Sequence, residues 1–364
     1  MSTPLLPLLL DRIAADGPMN VAEYMATCLL HPEFGYYTTA TPFGREGDFI
    51  TAPEISQMFG ELVGLCLAQA WMDQGMPSRF TLAELGPGRG TLMADLWRAT
   101  ARVPGFHAAA QLILVEASPQ LRQTQAETLS HANPDWRDSV ADLPEDQPLF
   151  LIANEFLDAL PIRQFIRSET GWDERCIGQS QGALSFGRVP MGDQPELRHR
   201  LGDTQPGDIV ETCPALPTII GEVATRIGAT GGTALWIDYG DWRSAGDTLQ
   251  ALRQHSYTDP LTQPGQADLT AHVDFEAVTR AAQNAHPNAQ TSVMTSQGSF
   301  LEALGIAARC EALAAKLTGA ARETHLAAYQ RLTAPTEMGT LFKVVSVLPS
   351  SVRMTPGLAP WPSK

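Results

Sequence analysis

The chain predicts an α/β fold: a parallel sheet with helices on both faces, a helical extension before it and an accessory insertion within it. Three observations lead there. Apolar β-type runs alternate with stretches of helical period from about residue 80 onward, as in parallel sheets covered on both faces. The first of those runs enters its helix through Leu85-Gly86-Pro87-Gly88-Arg89-Gly90-Thr91, three glycines spaced two apart. About 80 of the 364 residues precede that strand as helices and a loop, a long lead-in for a bare sheet domain.

Taken in order, Pro4-Leu5-Leu6-Pro7-Leu8-Leu9-Leu10 is apolar but short, and no basic region precedes it. It runs into Asp11-Arg12 without a small-residue cleavage signal, so it reads as the start of an amphipathic helix rather than a leader. Residues 58–71 carry apolar side chains at helical spacing, with Pro53 or Ser56 opening that helix. Strands are expected at 82–85, 112–116 and 149–153, with helices at 91–100 and 119–129 between them. A fifth strand is expected at 162–166, then an inserted hairpin at about 167–207 and a helix over 216–227. That helix feeds the apolar strand 233–237. Residues 241–290 read as loop-rich, 300–317 as helical and 341–348 as the last strand. The expected organisation is a helical extension with a cleft loop (1–80), a core with its hairpin (81–240), an accessory or substrate region (241–290) and a segment completing the sheet (291–364).

The glycine loop carries the first chemistry. Glycine permits positive φ in a tight turn, and its missing side chain lets a ligand approach backbone amides at a helix start. Dinucleotide folds use G-x-G-x-x-G, which would need a third glycine where Thr91 stands. G-x-G-x-G with Glu84 two positions before Gly86 is instead the pattern of Rossmann-like methyltransferases that use S-adenosylmethionine (SAM). On that reading Gly86, Gly88 and Gly90 admit the cofactor, and the Glu84 carboxylate acts through water on its ammonium. Glu116 ends a β-branched run 26 positions after Gly90, where an acid accepts hydrogen bonds from both ribose hydroxyls; a solvated strand-end glutamate is the alternative. Asp142, after Ser139-Val140-Ala141, is expected on the adenine amino group.

The catalytic candidates follow the 149–153 strand, in Asn154-Glu155-Phe156-Leu157-Asp158-Ala159-Leu160-Pro161. In doubly wound folds ligands lie outside the carboxyl ends of the strands, so these side chains face the reacting methyl. Enzymes that methylate amide or base nitrogens often carry Asn/Asp-Pro-Pro-Tyr/Phe here; this chain has the Asn and the ring but Glu155 in place of a proline. A carboxylate suits arginine, whose guanidinium needs acids to orient it and to remove a proton as the N–C bond forms. Glu155 and Asp158 are the expected pair, beside Asn154; the competing reading has Glu155 capping the next helix and Asp158 solvated. No Cys or Ser nucleophile site accompanies them, which disfavours covalent catalysis.

A net charge of −15 opposes nucleic-acid binding. The five cysteines contain no C-x-x-C, and the eight histidines show no ligand spacing, so neither a disulfide framework nor a metal is expected. No run of about 18 apolar residues exists to span a membrane, and the expected location is cytoplasmic.

Beyond the glycine loop and Asn154-Glu155-Phe156, the chain carries Gly17-Pro18, Tyr24-Met25, His31-Pro32, Gly35-Tyr36-Tyr37, Gly47-Asp48-Phe49-Ile50-Thr51, Pro53-Glu54-Ile55-Ser56-Gln57 and Phe59-Gly60-Glu61. Asp158-Ala159-Leu160-Pro161, Asp238-Tyr239-Gly240 and Asp268-Leu269-Thr270-Ala271-His272-Val273-Asp274-Phe275 complete the set. In these motifs it resembles the MidA-like SAM-dependent methyltransferases, whose mitochondrial members are protein-arginine methyltransferases needed for respiratory complex I assembly. Ala52 departs from the family's more usual serine and removes any role for a hydroxyl there. The resemblance implies that residues 48–57, with Thr51, Pro53 and Glu54, line the SAM and substrate cleft together with Tyr239, and that 268–275 belong to an accessory region over it. It also implies methyl transfer to an arginine of a protein partner such as a complex I subunit. Methylation of a small molecule and a SAM-binding assembly chaperone without catalysis are the rival functions; Thr91 disfavours a nicotinamide oxidoreductase. The oligomeric state is not legible.

Overall fold

Burial on both faces at every position marks Phe80–Leu85 (β1) as a central parallel strand. On one side it pairs in parallel with Ala110–Val115 (β2), which pairs with Asp135–Arg137 (β3); on the other it pairs with Leu149–Asn154 (β4). Beyond β4 lies Gly232–Asp241 (β5), parallel to it. Ala289–Thr291 (β6) and Phe342–Pro349 (β7) finish the sheet, with β7 antiparallel to both β5 and β6. The main path therefore runs 3-2-1-4-5-7-6. The chain winds outward from β1 through β2 and β3, then returns to the far side of β1 as β4. That reversal places the switch point between β1 and β4, where open α/β sheets bind ligands at their carboxyl ends.

The computed structural model describes residues 3–39 and 51–361. Part of the family motif around Gly47-Asp48-Phe49-Ile50 thus lies outside the described residues. The sheet unit comprises Ile50–Leu157, Pro217–Trp242 and Phe275–Lys364. In it Gln57–Asp73 (α1) starts at Ser56, whose hydroxyl accepts from the Met58 N–H at 3.2 Å. Gly60 and Gly64 let Thr91–Thr100 (α2) lie close against α1: a Cβ there would come within 2.8 Å of Asp95 and 2.7 Å of Leu96. Trp71, Phe80, Phe106 and Phe150 are buried with neighbouring ring centroids 5.0 to 5.9 Å apart. Each such side chain contributes about 1.5–3 kcal/mol of burial. Pro119–Thr128 (α3) follows β2, and Leu216–Thr230 (α4) leads into β5.

The second unit holds Met1–Phe49, Asp158–Leu216 and Arg243–Asp274. Its first helix, Leu5–Asp16, buries Leu5, Leu9 and Ile13 at a spacing of four, as the apolar start predicted. Asn20 and Glu23 form a capping box at 2.8 and 3.0 Å for the next helix, Val21–Leu30. An antiparallel sheet takes Met19–Asn20, Trp172–Ser180, Arg163–Arg167 and Ile209–Thr212 in that order. Ala183–Gly192 folds back on Trp172–Ser180 around Gln181 and Gly182, whose φ values of 51° and 79° suit a two-residue hairpin turn.

Several expectations need correction. The expected fifth strand exists as Arg163–Arg167 but belongs to this antiparallel sheet, because its partners are Trp172–Ser180 of the inserted hairpin and Ile209–Thr212 just after it, not a strand reached through a crossover helix. A short core strand that the sequence did not announce lies at 135–137, and residues 140–142 form a single 3-10 turn. The expected helix over 300–317 is two, Gln297–Ala303 and Ile306–Ala314, parted by Gly305 at φ 88°. Residues 241–290 are less loop-like than expected, holding a three-stranded sheet and the helix Phe275–Ala285. α1 lies within the sheet unit, although it precedes residue 80.

Candidate active site

Between β1 and α2 the loop turns on Gly86, Gly88 and Gly90 with φ of 59°, 52° and 81°, all in the left-handed region that favours glycine. At Gly86 the missing side chain has a second use, since a Cβ would meet the Phe156 ring at 2.9 Å. The ring from the β4 motif therefore lies on the loop from the β1 motif. Thr91, the residue that breaks the dinucleotide pattern, donates its hydroxyl to Glu54 Oε1 at 2.6 Å and fixes that acid at the start of α2. Glu54 stands in the short helix Ala52–Ile55, with Thr51 preceding it and Pro53 buried in its first turn.

Glu84 is buried in β1. Its Oε2 has no hydrogen-bond partner among the described residues, and burial pushes its carboxyl up to about 8 against the favourable N–H of Met93. A buried acid missing a partner at a strand's end calls for a polar or cationic ligand group. Glu116, half-buried just past β2, is held at both oxygens: Oε1 accepts from the Ser118 N–H at 2.8 Å and Oε2 from Gln125 Nε2 at 3.2 Å. Burial raises its pKa, countered by those donors. Asp142 is exposed; its Oδ2 accepts from the Ser139 N–H and hydroxyl at 3.0 Å, a cap for the 3-10 turn.

At the end of β4, Asn154 is buried and donates through Nδ2 to Glu155 Oε1 at 3.2 Å, while its own Oδ1 has no hydrogen-bond partner among the described residues. The same Glu155 oxygen accepts from the Ala52 N–H at 2.9 Å. Glu155 thus binds the start of the Ala52–Ile55 turn rather than capping a helix that follows it. Its φ of 51° is unusual for a residue with a side chain, a strain that recurs at functional positions. Asp238, on β5, holds this geometry: Oδ2 accepts from the N–H groups of Phe156 and Leu157 at 3.1 and 2.9 Å, and Oδ1 from Tyr239 N–H at 2.9 Å. Asp238 was visible only as part of a family motif, because a residue that acts on backbone amides 81 and 82 positions away leaves no local pattern. Tyr239 is buried with its ring edge-on to Phe342 at 5.5 Å. Glu61, another motif residue, is structural: burial raises its pKa, but hydrogen bonds from Arg309 and Arg98 more than offset that and leave it lowered.

Asp158 opens the second segment of the second unit, Asp158–Leu216, and is buried there, its carbonyl accepting from the Ala271 N–H at 3.0 Å. In that unit Tyr37 donates to Asp268 Oδ1 at 2.9 Å. Burial first, then the nearby charges of Asp268 and Asp158, hold the Tyr37 phenol well above its ordinary pKa. Three separated motifs meet in this cluster. Among the described residues no helix is long and apolar enough to cross a membrane.

A buried acid with an unsatisfied oxygen, positive-φ glycines after it and a pinned acid past the next strand offer a polar contact, an open backbone and a second polar contact in turn, an arrangement that fits the ammonium, the backbone-facing atoms and the ribose of SAM. Comparison with known proteins agrees. Residues 62–293 match the model of a family described as "Putative S-adenosyl-L-methionine-dependent methyltransferase". The chain is similar to "Protein arginine methyltransferase NDUFAF7 homolog, mitochondrial" of Drosophila melanogaster, 38% identical and covering 93% of this chain and 83% of that one. It is similar also to "Protein arginine methyltransferase NDUFAF7, mitochondrial" of Homo sapiens, 36% identical over 95% and 84% of the two chains. A solved structure from Burkholderia thailandensis bound to S-adenosyl-homocysteine is 30% identical with a TM-score of 0.82, covering 97% of this chain and 93% of that one. The expected cytoplasmic location does not stand, since these curated relatives are named as mitochondrial. With a family model matched over residues 62–293, relatives 36–38% identical over most of the chain and a solved structure of the same fold bound to S-adenosyl-homocysteine, this chain belongs to the MidA-like SAM-dependent methyltransferases and is an enzyme whose methyl donor is SAM.

Proposed function

We propose that the chain methylates an arginine guanidinium of a protein partner, a respiratory complex I subunit being the candidate class. The observation that carries the reading is Glu155, a strained carboxylate at the end of β4 with Oε1 anchored by Ala52 and Asn154. SAM supplies, when bound, an electrophilic methyl group on a sulfonium. Glu155 pairs with the guanidinium, orients one nitrogen and accepts the proton it loses as the N–C bond forms; a guanidinium with pKa above 12 needs such a base. Asp158, three residues along the chain, is proposed as the second acid. Relatives named as arginine methyltransferases support the choice of acceptor. Mass spectrometry of a native extract with and without the active enzyme tests it. Enzyme-dependent methylarginine on a protein is the expected result, whereas methylation confined to lysine or a small molecule overturns it.

Glu116 is proposed as the ribose acid and Glu84 as the partner of the SAM ammonium, with Asp142 as the adenine contact. Glu116→Ala should weaken SAM by about ten- to a hundredfold, the range expected from about 1.5–3 kcal/mol for a charged hydrogen-bond acceptor. Calorimetric titration reads it directly.

Glu84 predicts a pH dependence. With its carboxyl pushed up to about 8 in the folded protein, the native state keeps a proton that the unfolded chain releases near 4.5. The associated stability is greatest below 4.5 and is lost as pH rises toward 8. A cation beside the carboxylate reverses the preference, so SAM binding releases that proton and affinity climbs with pH across the same window. Titrations from about pH 5.5 to 8.5 should show the climb in wild type and a flatter profile in Glu84→Gln. An unchanged slope in Glu84→Gln removes Glu84 from the ammonium site.

A further inference from the structure

We propose that Gln125 is a positioning residue for the cofactor, setting the Glu116 carboxylate for the ribose hydroxyls and tying it to the glycine loop. The proposal rests on the ribose reading of Glu116. Gln125 has no exposed surface and is the one buried residue of α3, a helix otherwise polar (Pro-Gln-Leu-Arg-Gln-Thr-Gln-Ala-Glu-Thr). An amide there is costly unless its bonds are made, and Gln125 makes three. Nε2 donates to the Gly88 carbonyl at 2.8 Å and to Glu116 Oε2 at 3.2 Å, and Oε1 accepts from Trp136 Nε1 at 2.8 Å. One side chain thus joins the middle glycine of the loop, the acid after β2 and the indole of β3.

The consequence is geometric. A glutamate past the end of a strand would otherwise sample several rotamers, but with Oε1 on the Ser118 N–H and Oε2 on Gln125 the carboxylate plane is set before any ligand arrives. Arg122 Nε fixes the backbone beneath it by donating to the Glu116 carbonyl at 2.7 Å. The Gly88 carbonyl, held by the same amide, keeps the loop in the register that the φ of 52° requires. Burial of a two-donor, one-acceptor group among two acceptors and one donor is specific to glutamine; leucine fills the volume and glutamate keeps the acceptor, but neither supplies both N–H groups.

The test is calorimetric titration of the full chain with S-adenosyl-homocysteine and with its analogue lacking the 2′- and 3′-hydroxyls. Gln125→Leu should weaken the parent ligand by about tenfold or more and the analogue by no more than about twofold, and should add little to Glu116→Ala. A purely structural role would weaken both ligands alike and overturns the proposal. So does an unchanged affinity in Gln125→Leu while Glu116→Ala weakens binding, a result that leaves the ribose reading intact. If Glu116→Ala itself leaves the parent ligand unaffected, the ribose reading fails and the proposal with it. Should Gln125→Leu not fold, Gln125→Glu decides, because it retains size and the acceptor for Trp136. The charges acting on that group are Glu116 at the end of β2 and Arg122 on α3, while the loop and β3 present Gly88 and Trp136, which do not titrate. Two facing carboxylates should cost the parent ligand's affinity at pH 8 relative to wild type and recover part of it toward pH 6, as a shared proton restores one donor. Wild-type affinity at both pH values overturns the proposal.

Discussion

Glu155→Gln is expected to lose about 10²–10⁴-fold in single-turnover methyl transfer at saturating SAM while binding SAM as wild type does. The glutamine has nearly the same shape and keeps an oxygen for the Ala52 N–H and the Asn154 amide, so the Ala52–Ile55 turn and the end of β4 stay in place. What it loses is charge and basicity: it cannot pair with a guanidinium, nor take its proton. A companion variant, Glu155→Gly, separates strain from chemistry. Glycine relieves the left-handed backbone at φ 51°, worth about 1 kcal/mol, against which the lost bonds from Ala52 and Asn154 count, and should be as inactive as the glutamine variant. The measurement pairs fragmentation mass spectrometry of the product with thermal unfolding. Wild-type turnover in Glu155→Gln would reduce this glutamate to an anchor for the Ala52 turn.

Gly88→Val should abolish SAM binding, by more than about a hundredfold, while the sheet remains folded. Two causes add. A β-branched residue is badly strained at φ 52°, so the loop must move, and its methyl groups would fill the approach that the proposed cofactor site needs bare. Because the Gly88 carbonyl receives Gln125 Nε2, a displaced loop also releases the amide that holds Glu116. Calorimetry reports the binding and far-ultraviolet circular dichroism the fold. Unchanged SAM affinity in a folded Gly88→Val protein would remove the loop from the cofactor site.

The core was legible because its signals are local. β1, β2 and β4 are short, mostly apolar strands of six residues, each followed by a break, and α2 begins at the expected residue because the glycine loop stops where Thr91 begins. Glu84, Glu116 and Glu155 could be picked out for the same reason, being acids at the ends of recognisable strands. Arg163–Arg167 was misassigned because a five-residue strand with Phe165 and Ile166 at its centre looks alike in either sheet, and its sheet is set by hydrogen-bond partners elsewhere along the chain. The helix Gly319–Thr333 was not anticipated, since it buries only Leu332 and shows little amphipathic period.

What the sequence determined by itself was the class of cofactor, the first core strands and the acids at or just past their ends, all consequences of residue type and short spacing. Tertiary structure alone decided how those acids are aimed. Asp238 reaches the amides of Phe156 and Leu157, Ala52 meets Glu155, Thr91 meets Glu54, and Gln125 joins Gly88, Glu116 and Trp136. Each joins groups brought together by the winding of the sheet and loops rather than by short sequence spacing. A hydrogen bond has no sequence period of its own, so a buried glutamine in a polar helix becomes legible only once the fold brings its three partners together.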